Sequence, residues 1–121
     1  MCLLLAGLGA GWHGVPRAQS YPAKPVRFIV PYPPGGATDI IARALAQKLT
    51  DVFGQQVVVD NRAGGGGTIA AMMAAKSPPD GYTMLMGTIS TLATNVSTYK
   101  NLPYDPLRDF APVTLAAATP Y

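Results

Sequence analysis

The chain has 121 residues, of which 49% are hydrophobic and 12% charged, a composition that indicates one modest folded domain and excludes a disordered chain. Its only histidine is His13, its only cysteine is Cys2, and it has no glutamate. A Ser-His-Asp or Cys-His catalytic site, a zinc site of His and Cys ligands, and a glutamate general base therefore lack their parts. The net charge is +3 and the basic residues form no run, so no nucleic-acid partner is expected.

Residues 1–20 are typical of a secretory signal peptide. Their apolar run is too short to span a bilayer as a helix, and Ala18-Gln19-Ser20 resembles a small-x-small processing site. We predict a mature chain that begins near Tyr21 and is exported. No basic residue precedes Leu3, so a disordered tail or a buried apolar arm is the alternative.

Strand and helix patterns alternate after this segment. In chain order they predict a strand over 26–30, a helix opened by Thr38 and Asp39 and ended by Gly54, a strand over 56–60, a helix opened by an N-cap at Thr68, and a strand over 82–87. This order predicts right-handed βαβ crossovers, and hence an α/β fold with an open, mostly parallel sheet and flanking helices.

The same patterns predict which residues are buried. The apolar run over 56–60 is of the kind found in strands covered on both faces. A third helix is expected to begin within 88–96, and residues 99–112 are rich in turn formers, with Phe110 and Val113 as anchors into the core. The apolar face of the first helix is expected to hold Ile40, Ile41, Ala44, Leu45, Lys48, Leu49 and Phe53.

Loops leave the carboxyl ends of all three predicted strands, where open α/β sheets bind ligands. These loops, residues 31–38, 61–68 and 88–91, are rich in Gly, Ser or Thr and meet at one edge if the strands are parallel. The first runs through Gly35 and Gly36 into a helix, whose first turn has free N–H groups that attract anions. A plain tight turn for these glycines, a flexible connector for Gly64–Gly67 and helix capping for the hydroxyls are the alternatives.

Two charged residues near these loops, Asp39 and Arg62, also allow two interpretations. Asp39 lies in the first helical turn, where it either complements the helix dipole or contacts a ligand at the cleft floor. Asn61 and Arg62 lead into the glycines, and Arg62 either binds a carboxylate with two hydrogen bonds or ties the loop to a nearby aspartate.

Four segments together resemble the Bug-type periplasmic receptors of tripartite tricarboxylate transporters. They read VRFIVPYPPGGATDIIARALAQKL, GQQVVVDNRAGGGGTIAA, PPDGYTMLMGT and NLPYDPLRDFAPV. The resemblance implies that residues 21–121 form the N-terminal lobe of a two-lobed, type II periplasmic-binding-protein-like receptor, most of whose second lobe is absent. It also implies a periplasmic location, a small carboxylate ligand and two integral membrane subunits as partners, while the receptor itself does not span the membrane.

The predicted ligand-binding residues lie in the three loops. They are Tyr32, Gly35, Gly36, Ala37, Thr38, Asp39, Gly66, Gly67, Thr88, Ser90 and Thr91. The choice of the hydroxyls after the third strand rests on the family resemblance, although Leu92 stands where related sequences often carry a histidine. The motif from Tyr104 to Phe110, typical of the family, is interpreted as a structural turn. No catalytic residue, metal or cofactor is predicted.

Two other functional classes remain as alternatives. A nucleotide- or phosphate-binding Rossmann-like enzyme would use the glycine clusters, yet the chain has no GxxxxGK[ST] motif and Gly64–Gly67 does not complete GxGxxG. A non-catalytic interaction domain is the third possibility.

Overall fold

The computed structural model describes residues 20–118, so the predicted signal peptide lies almost entirely outside the described residues. The elements are β1 (Val26–Val30), α1 (Ala37–Phe53), β2 (Val57–Asn61), α2 (Thr68–Ala75), β3 (Thr83–Leu85) and α3 (Asn95–Thr98). A 3₁₀ turn over Gly65–Gly67 precedes α2, and a π-helical stretch over Ser90–Thr94 runs into α3. Within the described residues, no helix is long and apolar enough to cross a membrane.

The three strands form one parallel sheet with the order β2-β1-β3. Val26 is in register with Val57, and Arg27 with Thr83. The fold class expected from the sequence, an α/β fold with an open parallel sheet, is therefore confirmed. Because all three strands point the same way, the loops that follow them leave from one edge of the sheet.

One helix covers each face of the sheet. Val26, Phe28 and Val30 of β1 lie on one face and belong to a buried cluster with Ala42 and Ala46 of α1. Side chains alternate along a strand, so the fully buried Ile29 faces the other way, towards the side on which α2 contacts β1 and β3. The sheet is thus buried on both faces at its central strand.

The buried face of helix α1 differs from the predicted one. Ile40 is 62% exposed and Ala44 and Lys48 are also exposed, whereas Ala42 and Ala46 are buried. The predicted Ile41, Leu45, Leu49 and Phe53 do pack against the core. The physical reason is size, since two alanines let the helix backbone approach the sheet and the larger side chains pack around them.

The end of α1 follows the prediction and its start lies one residue earlier. Gly54 has φ 63° and donates its N–H to Thr50 O at 3.0 Å, which is the left-handed ending that glycine favours. At the other end, Gly36 is the N-cap residue and Ala37 is the first helical residue.

The prediction that the second strand is covered on both faces is wrong. Among the described residues β2 pairs only with β1, and Val58 is 41% exposed. The strand occupies residues 57–61, one residue later than expected, although Val26 N–H already bonds to Gln56 O. Its apolar run is therefore that of an edge strand with one covered face.

The chain after β3 has the expected third helix and few regular elements beyond it. Val113 is 87% exposed, so its prediction as a core anchor is wrong, and Phe110 is half-buried against Tyr104 with ring centroids 5.8 Å apart. Tyr104 is the buried anchor, because its hydroxyl donates to Thr91 O at 2.5 Å while its ring is covered.

Candidate functional site

The three loops do meet at the carboxyl edge of the sheet, as the sequence predicted. The hydroxyls of Tyr32 and Thr88 are 3.3 Å apart and join the first loop to the third. Asn61, at the end of β2, donates to Tyr32 O at 3.0 Å and joins the second strand to the first loop. Gly67 packs so closely on the other two loops that a Cβ built there would lie 2.5 Å from Thr91 Cγ2 and 3.1 Å from Pro31 Cβ.

The first loop presents unpaired backbone donors on an open surface. The N–H of Ile40 makes the first intrahelical bond, to Gly36 O at 3.0 Å, so the N–H groups of Gly36, Ala37 and Thr38 come before the helical ladder. Gly36 makes no side-chain capping bond, and it and Ala37 are exposed while Thr38 is half-buried. Together with the positive end of the helix dipole, these groups are suited to an anion.

Gly36 itself has space above it. Its φ of −79° is open to any residue, and the nearest atom to a Cβ built there would be Pro33 O at 3.9 Å. Gly35, in contrast, has φ 89°, which favours glycine. The turn therefore needs glycine at position 35, whereas the absence of a side chain at 36 leaves open the approach to the backbone donors.

The buried carboxylate of Asp39 is used within the protein. Only 3% of the residue is exposed, and Oδ2 accepts from Arg43 Nε at 2.9 Å and from Gly35 N–H at 2.8 Å, while Oδ1 accepts from Asn61 Nδ2 at 2.9 Å. These bonds lower the pKa of Asp39 from 3.8 to about 2, and the bond from Arg43 has the largest effect. The contacts support a structural role for Asp39, and they also occupy the Gly35 N–H.

Replacing Asp39 is expected to remove a pH-dependent part of the stability. A carboxyl whose pKa is lower in the folded state stabilises above its unfolded pKa, and this contribution is lost as pH falls from 3.8 through about 2. Asp39→Asn should therefore be less stable than the parent near neutral pH, with the difference shrinking below pH 4. The measurement is urea unfolding at several pH values.

The exposed Asp51 offers a matched control for this prediction, since its carboxylate accepts only a 3.5 Å bond from Gln47. Asp51→Asn should leave the free energy of unfolding nearly unchanged. A pH-independent difference between Asp39→Asn and the parent protein would contradict the role of the charge.

Asn61 was not among the predicted site residues. Its Nδ2 donates to both Tyr32 O and Asp39 Oδ1, and its Oδ1 accepts from Arg43 at 3.0 Å. The only sequence signal was a polar amide at the end of an apolar strand, at the ligand-binding edge. Its partners could be identified only from the structure, because they lie 18 to 29 residues away.

The tetraglycine segment has a defined conformation with hydrogen bonds to Asn95 and Tyr99, which favours a structured turn over the flexible-connector interpretation. All of Gly64–Gly67 have positive φ, and Gly67 N–H bonds to Gly64 O at 3.0 Å. Two polar side chains near α3 hold the turn, since Asn95 donates to Gly66 O at 3.0 Å and Tyr99 donates to Gly65 O at 3.1 Å. Neither side chain was predicted to take part.

The predicted N-cap at Thr68 is wrong. The N-cap of α2 is Gly67, with φ 89°, and it makes no side-chain capping bond. Thr68 is the first helical residue, and its N–H bonds to Gly65 O of the preceding turn. The glycine turn replaces a capping side chain, because its own carbonyl accepts from the start of the helix.

The hydroxyls of the third loop divide into two kinds. Thr91 is fully buried, and its hydroxyl accepts from Thr88 N–H at 2.8 Å and donates to Thr88 O at 3.0 Å. Thr88 Oγ1 in turn accepts from Thr91 N–H at 3.4 Å, so the two residues form a reciprocal capping pair in which Thr88 is the cap. Thr88 and Ser90 are half-buried and lie nearer the surface.

The arginines next to the first two loops are paired. Arg43 bonds to Asp39, and Arg62 Nε donates to Asp60 Oδ1 at 2.8 Å, as the structural alternative for Arg62 predicted. Among residues 20–118 no cluster of three His, Cys, Asp or Glu side chains could hold a metal ion. This edge of the sheet therefore offers neutral backbone and hydroxyl donors to a ligand, and Arg43 and Arg62 beside it are each paired with an aspartate.

Such a site, at the carboxyl edge of a parallel sheet in an α/β lobe, is of the kind that binds small ligands. A sequence profile of the tripartite tricarboxylate transporter family receptors matches residues 41–121. Protein BugT of Bordetella pertussis is 46% identical over 126 residues, a match that covers 99% of this chain and 39% of BugT. The chain belongs to the tripartite tricarboxylate transporter receptor family, and it spans about two fifths of the length of that relative.

Solved structures agree with this assignment. R. palustris Rpa4515 with adipate is 45% identical with a TM-score of 0.70, over 72% of this chain and 29% of that one. MatC from Rhodopseudomonas palustris with bound malate is 36% identical with a TM-score of 0.74, over 77% of this chain and 32% of that one. The family is one of receptors, which corresponds to the class predicted first.

Proposed function

We propose that residues 21–121 form the N-terminal lobe of a two-lobed periplasmic receptor that binds a small carboxylate between its lobes. The observation that carries the proposal is the open first turn of α1, where the N–H groups of Gly36, Ala37 and Thr38 precede the helical ladder. Adipate and malate, both dicarboxylates, accompany two structural neighbours and support this ligand class.

In this proposal the loops have separate tasks. The N–H groups of the first loop receive one carboxylate, and the hydroxyls of Tyr32, Thr88 and Ser90 orient the ligand from the adjacent loops. Gly66 and Gly67 allow the glycine turn to approach closely, while Asp39 and Thr91 hold the loops from behind. Closure of the second lobe about a hinge would bury the ligand and strengthen these bonds, since water no longer competes for the donors.

The proposal extends to the place of the protein in uptake. Membership of this family implies that the loaded receptor would deliver its solute to two integral membrane subunits. Residues 1–20 would direct export and be removed, and the mass of the chain recovered from the periplasm tests this. A chain found in the cytoplasm with Met1 to Ser20 intact would exclude an exported mature form.

A thermal-shift screen of the complete receptor tests the ligand class. A ligand that binds only the folded state stabilises it by about 2.7 kcal/mol at a hundred times its Kd, so a true ligand should raise the melting temperature by several degrees. The panel includes adipate, malate, tricarboxylates and aromatic acids, with the corresponding amides as controls. Equal shifts with acids and amides, or consumption of any acid, would contradict a carboxylate receptor.

A further inference from the structure

We propose that Asn61 is a positioning residue that holds the first loop in its ligand-binding shape without touching the ligand. The inference rests on the proposed function, since it assumes that the first loop receives the carboxylate. It concerns how the donors of Gly36, Ala37 and Thr38 are kept in place.

Asn61 is the connection between the second strand and both ends of the first loop. Its amide nitrogen has two hydrogens, and both are used: one bonds to Tyr32 O at 3.0 Å and the other to Asp39 Oδ1 at 2.9 Å. Tyr32 lies at the entry to the loop and Asp39 in the first turn of α1. The single side chain therefore spans the loop and attaches it to the sheet.

The second layer of the network continues to the loop's turn. Asp39 Oδ2 accepts the Gly35 N–H at 2.8 Å, so the residue that Asn61 holds in turn holds the glycine turn. Arg43 bonds to both Asp39 and Asn61, which fixes the carboxylate and the amide relative to each other. Each polar atom of the Asn61 side chain thus has a partner, and a change at this position removes several bonds at once.

Thr50 provides a matched control, because it joins α1 and β2 at the end that is away from the ligand-binding loops. Thr50, near the end of α1, accepts from Val57 N–H at the start of β2 at 3.0 Å and donates to Ala46 O at 2.8 Å. It joins α1 to β2 as Asn61 does, but about the length of the strand away from the ligand-binding loops.

The experiment compares Asn61→Asp and Thr50→Val in the complete receptor. Asn61→Asp keeps the size of the side chain and a partner for Arg43, but it has no donor for Tyr32 O and places a second carboxylate against Asp39. We expect about a tenfold loss of affinity for malate or whichever panel acid binds the parent. We also expect about tenfold faster hydrogen exchange of the Gly35 amide, whose bond to Asp39 depends on the order of the loop. Thr50→Val should change neither, even where its melting temperature falls.

Asn61→Ala, which adds no charge, should give the same two effects and serves where the aspartate variant does not fold. Unchanged affinity and exchange in both Asn61 variants would overturn the proposal, as would equal losses of affinity in Asn61→Ala and Thr50→Val. The exchange measurement needs no ligand. A parent receptor that binds no carboxylate would reject the proposed function, while the exchange of the Gly35 amide would still decide whether Asn61 holds the loop.

Discussion

Gly67→Ala is expected to destabilise the protein by about 2–5 kcal/mol. A left-handed backbone costs a non-glycine residue roughly 1–2 kcal/mol, and overpacking a filled site adds about 1–3 kcal/mol. Gly67 has φ 89°, and a Cβ there would lie 2.5 Å from Thr91 Cγ2 and 3.1 Å from Pro31 Cβ. Both neighbours are fully buried, so they have little room to move aside.

Gly66→Ala is the matched control for this prediction, because it carries the backbone cost without the collision. Its φ is 62°, and a Cβ would be in ordinary contact, 3.5 Å from Asn95 Oδ1 and from Tyr99 Oη. We expect a loss of about 1–2 kcal/mol, measured by urea unfolding of the complete receptor. Equal losses for the two variants would show that the contact between the second loop and the other two is not tight.

Gly36→Val is expected to abolish ligand binding with little effect on stability. Its φ of −79° accepts any residue and the space above it is open, so the variant should fold. The added side chain would occupy the surface through which a carboxylate reaches the N–H groups of the first turn. Because a hydrogen bond to a charged group contributes about 1.5–3 kcal/mol, loss of one or two should weaken binding at least about a hundredfold.

Calorimetry with the acid that gives the largest thermal shift measures this effect. Ala44→Val adds a branched side chain to the exposed face of the same helix and should leave affinity unchanged. Gly35→Val is the less informative variant, since its φ of 89° would add backbone strain to any change in binding. Normal affinity in Gly36→Val would place the carboxylate elsewhere and contradict the proposed site.

The hydrogen-bond partners of the glycine turn could not be predicted from sequence patterns. The spacing of apolar residues predicted β1, α1 and α2, because buried side chains recur with the period of a strand or a helix. Asn95 and Tyr99 bond to glycines that lie 29 and 34 residues away in the sequence. A local sequence pattern does not predict contacts between residues so far apart. The same holds for Ile40 and Val113, whose apolar character predicted burial that the packing does not provide.

The sequence by itself determined the α/β class, the parallel direction of the strands, the meeting of three loops and the receptor family. These follow from local patterns, from the handedness of βαβ crossovers and from four ordered motifs. Only the tertiary structure decided that Gly35 N–H donates to Asp39, that Thr91 is buried and bonded to Thr88, and that Asn61 connects the strand to the loop. The physical reason is that a hydrogen-bonding group has several possible partners in sequence, and the fold selects one of them by bringing it within about 3 Å.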